Sequence, residues 1–118
     1  MKKHDGSCQN IIKGVREEGR AVVLELAGEI DMECSVALRH KFKELFRKKP
    51  AVVVVNMSGV EFMDSSGLAT LVGALKWCRV NGSELRLAGL VQRVRDIFEI
   101  CRLESVFDIY DTEAEALS

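Results

Sequence analysis

Four consecutive valines, Val52 to Val55, form an unbroken apolar stretch between Lys49-Pro50 and Asn56. β-Branched side chains favour a pleated sheet, and with no polar position alternating among them the stretch predicts a central strand at residues 51–55, buried on both faces. Upstream, residues 11–16 and 21–27 are short apolar-rich runs separated by Glu17-Glu18-Gly19-Arg20, the pattern of a hairpin. Over residues 32–48 the period changes: Val36, Leu38, Phe42, Leu45 and Phe46 recur at helical spacing until Lys49-Pro50 stops the helix. A second helix is predicted over 66–79 from the stripe Leu68, Leu71, Val72, Leu75 and Cys78. The turn Asn81-Gly82-Ser83 leads to a strand at 85–88, and Val91, Val94, Ile97, Phe98 and Cys101 mark a third helix. A last strand at 106–109 precedes Asp111-Thr112, which can cap a short helix ending near Ala116.

Strand, helix, strand, helix, strand in the second half calls for right-handed crossovers and parallel pairing, whereas the opening hairpin is antiparallel. The expectation is an α/β fold: a mixed sheet of about five strands with about four helices and no internal repeat. At 118 residues and 47% hydrophobic content the chain suits one compact domain with an ordinary core. Residues 11–118 carry the pattern, and residues 1–10 form an extension without an assigned role.

Charge narrows the partners. Seventeen Lys plus Arg against eighteen Asp plus Glu leave a formal charge of -1, which provides no net field toward nucleic acid or an acidic membrane. The basic stretch Arg39-His40-Lys41-Phe42-Lys43, with Arg47-Lys48-Lys49, is interleaved with Glu44 around an apolar stripe and reads as a solvated helix face. The basic-then-polar start Met1 to Ser7 lacks a signal-peptide core, and no apolar run is long enough to span a bilayer, so a cytoplasmic location is expected. Cys8, Cys34, Cys78 and Cys101 are widely spaced, and His4 and His40 are the only histidines. That pattern predicts reduced thiols, Cys78 and Cys101 on apolar helix faces, and no metal or cofactor.

The candidate chemistry lies where the valine strand hands over to the next helix, at Asp64-Ser65-Ser66-Gly67. Two hydroxyls and a carboxylate fall at a helix start, where unpaired amides and the macrodipole favour negative charge, so a phosphate there is compatible with the fold. Asp64 and Ser65 can equally be plain capping residues, and Asp31 can cap the helix that begins near Met32. Ala69, Gly73 and Trp77 form a second stripe that reads either as a surface permitting close docking of a partner or as an uneventful solvent-facing side of the helix. Met57, Phe62 and Met63 read either as a partner-facing apolar patch or as residues closing the core. A serine hydrolase lacks support, since Met63-Asp64-Ser65-Ser66-Gly67 misses the first glycine of a nucleophile elbow. A receiver domain would need an acidic residue where the central strand runs into Asn56-Met57. A small nucleotide-binding module is the alternative of another class, since the helix start after the central strand could receive a phosphate group, although the chain has no glycine-rich phosphate loop.

The run Gly59-Val60-Glu61-Phe62-Met63-Asp64-Ser65-Ser66-Gly67-Leu68-Ala69-Thr70-Leu71 resembles the signature of STAS-domain anti-sigma factor antagonists, an apolar strand, a short loop and Asp-Ser-Ser-Gly-Leu. Gly28-Glu29-Ile30-Asp31 is similar to the stretch that precedes the family's first helix. The resemblance runs from about Ile11 onward. It implies a partner switch: the unmodified domain binds an anti-sigma factor that is also a serine kinase, a sigma factor is released, and phosphorylation turns binding off until a serine phosphatase reverses it. Carried over by position, the acceptor is Ser65 and the partner-binding surface includes Asp31, Asp64, Ser66, Gly67, Ala69, Thr70 and Gly73. Ser66 stays open as a second acceptor, and Ala69 stands where many relatives have glycine. The resemblance leaves a second reading open for this chain, a stand-alone STAS regulatory subunit of a transporter or of a larger signalling complex. An apolar loop at Phe62-Met63 would support weak self-association.

Overall fold

The computed structural model describes residues 11–118; the predicted extension at 1–10 lies outside the described residues. Strands β1 (Ile12–Glu18) and β2 (Ala21–Ile30) form the expected hairpin, turning at Gly19 with φ +64°. Then come helix α1 (Met32–Phe46), strand β3 (Val52–Met63), helix α2 (Ser65–Asn81), strand β4 (Glu84–Ala88), helix α3 (Gln92–Ile100), strand β5 (Asp108–Tyr110) and helix α4 (Glu113–Leu117). The five strands lie in chain order across one sheet, β1 antiparallel to β2 and the rest parallel.

That order decides the layering. Right-handed crossovers that always step in the same direction place their helices on the same face of a sheet. Accordingly Val53, Val55, Leu24 and Leu87 share a main core with Leu38 and Phe42 of α1, Leu71 and Leu75 of α2, and Val94 and Phe98 of α3. The opposite face is covered by α4, where Ala116 packs on Val23, Val54 and Ala88. Val53, Val54 and Val55 are fully buried, as the valine run predicts, whereas Ala51 and Val52 at its start are half-buried.

β3 continues far beyond the predicted end at Val55. The β2–β3 register slips between the Glu25 and Ala27 pairs and again between those of Gly28 and Glu29. Each slip adds a residue to β3, so its core-facing positions there are Met57, Val60 and Met63, three apart. Gly59 makes the first bulge possible, because a Cβ on it would lie 2.7 Å from the Ala27 Cβ. β2 likewise extends past Ala27 to Ile30.

The last strand starts at Asp108, two residues later than predicted, and leaves Val106 exposed ahead of it. The remaining corrections concern helix faces. Val36 is exposed, while Cys34 and Ser35 are buried in its place. Val91 is exposed ahead of α3, and Cys101 lies exposed just after that helix. The thiols of Cys78 and Cys101 are free, but Cys34 is disulfide-bonded, which corrects the expectation of reduced cysteines at that position.

Candidate functional site

Ile30 and Met63 are register partners at the ends of β2 and β3, so the chain leaves two adjacent parallel strands side by side. The next residues are Asp31 and Asp64, and the Asp64 N–H donates to the Ile30 carbonyl at 3.1 Å. Each aspartate caps the helix that follows it. Asp31 Oδ1 accepts from the Cys34 N–H at 3.0 Å, and the Ser35 hydroxyl donates back to the Met32 carbonyl at 2.9 Å. Asp64 Oδ1 accepts from the N–H groups of Ser66 at 2.9 Å and Gly67 at 3.3 Å. Two capped helix starts, the positive ends of their macrodipoles, therefore emerge at one end of the sheet.

Asp64 is the hinge of this arrangement. Its Oδ1 also accepts from the Ser66 hydroxyl at 2.6 Å, and its carboxylate takes a further backbone hydrogen bond from Met32, the first residue of α1. The Ser66 hydroxyl, followed by the amides of Gly67, Ser66 and Met32, holds the Asp64 carboxyl below its ordinary range against a smaller opposing effect of burial. One carboxylate thus ties together the starts of α1 and α2.

The two serines differ. Ser66 is half-buried and its hydroxyl is engaged, whereas Ser65 is exposed and its hydroxyl has no hydrogen-bond partner among the described residues. Gly67 is buried against the ends of β3 and β2: a Cβ there would meet Met63 Cγ at 2.7 Å and Ile30 Cγ2 at 3.0 Å. The glycine sets how closely α2 seats on the sheet end, and so fixes where Ser65 is presented.

Ser66, Ala69, Thr70 and Gly73 line one side of a groove of about 320 Å³ between α2 and α1. Thr70 is buried and its hydroxyl donates to the Ser66 carbonyl at 3.0 Å. Gly73 faces open space. The groove is floored by aromatic rings, with Trp77 stacked on Phe46 at 4.0 Å between centroids and 4° between planes. The structure thus brings Asp31, Asp64, Ser65, Ser66 and Gly67 together at the sheet end, with Ala69, Thr70 and Gly73 running away from it along α2.

Reading the sequence missed two parts of this surface. Arg39 and Lys43 of α1 line the groove, although the stretch that contains them reads as an undifferentiated solvated face; their spacing of four, in phase with the groove-lining Phe42 and Phe46, was the available signal. Met32 is 71% exposed beside Asp31. The apolar patch of Met57, Phe62 and Met63 does not exist as such: Met57 and Met63 are core residues in a strand, not in a loop, and Phe62 alone is exposed.

A family model described as STAS domain matches residues 13–116. The chain is 32% identical to an anti-sigma-B factor antagonist of Bacillus subtilis, over 85% of this chain and 91% of that one. It is 36% identical to an anti-sigma-B factor antagonist of Listeria monocytogenes over 76% and 79% of the respective chains. The crystal structure of an anti-sigma factor antagonist from Mycobacterium paratuberculosis superposes with a TM-score of 0.81 at 25% identity, covering 88% of each chain.

Proposed function

The chain belongs to the STAS domain family, and from that premise we propose that it is an anti-sigma factor antagonist switched by phosphorylation of Ser65. In the unmodified state residues 11–118 bind an anti-sigma factor that is also a serine kinase, and a sigma factor is released. The surface comprises Asp31, Asp64, Ser66, Gly67, Ala69, Thr70 and Gly73. Phosphate on Ser65 ends the association, and a serine phosphatase restores it. The protein has no catalytic machinery of its own and works in the cytoplasm; among the described residues no helix is long and apolar enough to cross a membrane.

The observation that carries this reading is the contrast between the two hydroxyls. An acceptor must enter a kinase active site, and Ser65 is exposed and unpartnered where Ser66 is tied to Asp64. The naming of the Bacillus and Listeria relatives as anti-sigma factor antagonists supports the same assignment.

The size of the effect is adequate. A phosphoserine brings about -1.5 to -2 charges at neutral pH. Against a single acidic group on a partner ~4 Å away, each unit pair costs about 4 kcal/mol at an effective dielectric of ~20, roughly a thousandfold in affinity. The helix start offsets little, about 0.3–1 kcal/mol at an exposed site, so the modification acts on association and leaves the fold intact. Ser65→Asp is expected to weaken binding to the kinase at least tenfold, with a melting temperature within about 3 °C of the parent. Unaltered binding by Ser65→Asp, or unfolding in its place, contradicts the proposal.

A further inference from the structure

Lys41 of α1 is paired with Glu44 at 2.9 Å, and Lys48 lies 3.7 Å from Glu17. Arg39 and Lys43, one turn apart on the face that meets α2, have no carboxylate partner among the described residues, although both line the groove whose floor is the stacked Phe46–Trp77 pair. Two like charges one helical turn apart repel each other. They also stand at the rim of an apolar slot whose opposite wall, at Ala69 and Gly73, is too low to fill it. The slot therefore lacks two things at once, an apolar group over the aromatic floor and negative charge beside its rim.

We propose that this groove extends the docking surface for the anti-sigma factor from α2 onto α1, receiving an apolar side chain of that partner flanked by carboxylates that pair with Arg39 and Lys43. The inference rests on the partner assigned above and specifies its chemistry. The groove begins at Ser66 and extends along α2 to Trp77, so a segment seated in it continues directly from the acceptor end. The slightly acidic whole chain gives no general attraction for an acidic partner, so the attraction arises from the local pair. It is strongest in low salt, because charges at an exposed rim are screened over about 10 Å at 0.1 M ionic strength.

The test measures binding of the full chain to each serine-kinase anti-sigma factor of the source organism by calorimetry at 50 and 300 mM NaCl, with circular dichroism to verify folding. Arg39→Glu/Lys43→Glu is expected to bind at least tenfold more weakly at the lower salt and to lose most of its salt dependence; Arg39→Gln/Lys43→Gln follows in the same direction by a smaller factor. The control Arg93→Glu/Arg102→Glu, with an equal charge change away from the groove, stays within twofold of the parent. Trp77 is the one tryptophan of the chain, so in 5-fluorotryptophan-labelled protein its single fluorine resonance shifts on binding. Equal losses in the groove and control variants overturn the inference, as does a fluorine resonance that does not move when the complex forms. If Ser65→Asp abolishes binding while the groove variants bind like the parent, the groove inference fails and the phosphorylation switch stands. If the parent chain binds none of these factors, both fail.

Discussion

Asp64 holds the hydroxyl of Ser66 at 2.6 Å, and the serine one position earlier is left exposed. The same carboxylate oxygen caps α2 through two amides, so one side chain both builds the helix start and distinguishes the neighbouring hydroxyls. Removing the Ser66 hydroxyl takes away the largest influence that keeps the Asp64 carboxyl below its ordinary range. Ser66→Ala is expected to raise the Asp64 pKa in an NMR titration and to cost about 1 kcal/mol of stability. Ser65 should remain phosphorylatable in that variant.

Asp64 also makes stability depend on acid. Its pKa is lower in the folded protein than in the unfolded chain, so its contribution is fully present above the unfolded value and disappears as pH falls through the folded one. Asp64→Asn keeps a capping oxygen and cannot titrate; its urea midpoint should therefore fall less than the parent's between pH 5 and pH 3. At pH 7 Asp64→Ala should lose about 1 kcal/mol through the missing cap. A parent and Asp64→Asn variant with the same acid profile would show that the carboxylate carries no such role.

Two glycines on α2 give opposite expectations. At Gly67 a Cβ would be driven to 2.7 Å from Met63 Cγ, whereas at Gly73 it would meet nothing within 4 Å. Gly67→Ala gains about 1 kcal/mol of helix propensity but loses about 1–3 kcal/mol to overpacking, a net destabilisation of roughly 1 kcal/mol. Gly73→Ala should stabilise by about 0.5–1 kcal/mol yet bind the anti-sigma factor more weakly, because its methyl group narrows the groove. Denaturant melts and the binding assay together read the split.

The free thiols of Cys78 and Cys101 should separate by reactivity. Burial pushes the Cys78 thiol up to about 11, and Cys101 is exposed. At pH 8 only about one Cys78 in a thousand would be thiolate even if reagent reached it. Ellman's reagent should therefore titrate Cys101 in the native protein and Cys78 only after denaturant is added. Rapid native labelling of Cys78 would contradict its placement in the core.

Periodicity made most of the architecture legible, and it failed where backbone irregularity changed the period. The valine run predicted the central strand, but two bulges move the buried positions of β3 to Met57, Val60 and Met63, a spacing of three that matches neither a strand nor a helix. Val36 and Cys101 fit apolar faces by residue type alone; the helix phase instead buries Ser35, and α3 ends at Ile100. At the site, the motif located Asp64, Ser65, Ser66 and Gly67 because they are contiguous. The convergence of Asp31 with them depends on the parallel pairing of Ile30 with Met63, which no local pattern announces. The groove was half legible: the α2 stripe of Ala69, Gly73 and Trp77 is visible in sequence, and the phase of Arg39 and Lys43 with Phe42 and Phe46 marks a shared face of α1, but that this face meets α2 follows from tertiary packing.

The most direct measurement is site mapping of phosphate by intact-mass and peptide mass spectrometry after incubation with the serine-kinase anti-sigma factor and ATP. One phosphate per chain, located on Ser65 and absent from Ser65→Ala, is the predicted result, with the Ser65→Ala complex surviving ATP that dissolves the parent complex. Phosphate on Ser66 with Ser65 unmodified, or release of Ser65→Ala by ATP as readily as the parent, would contradict it.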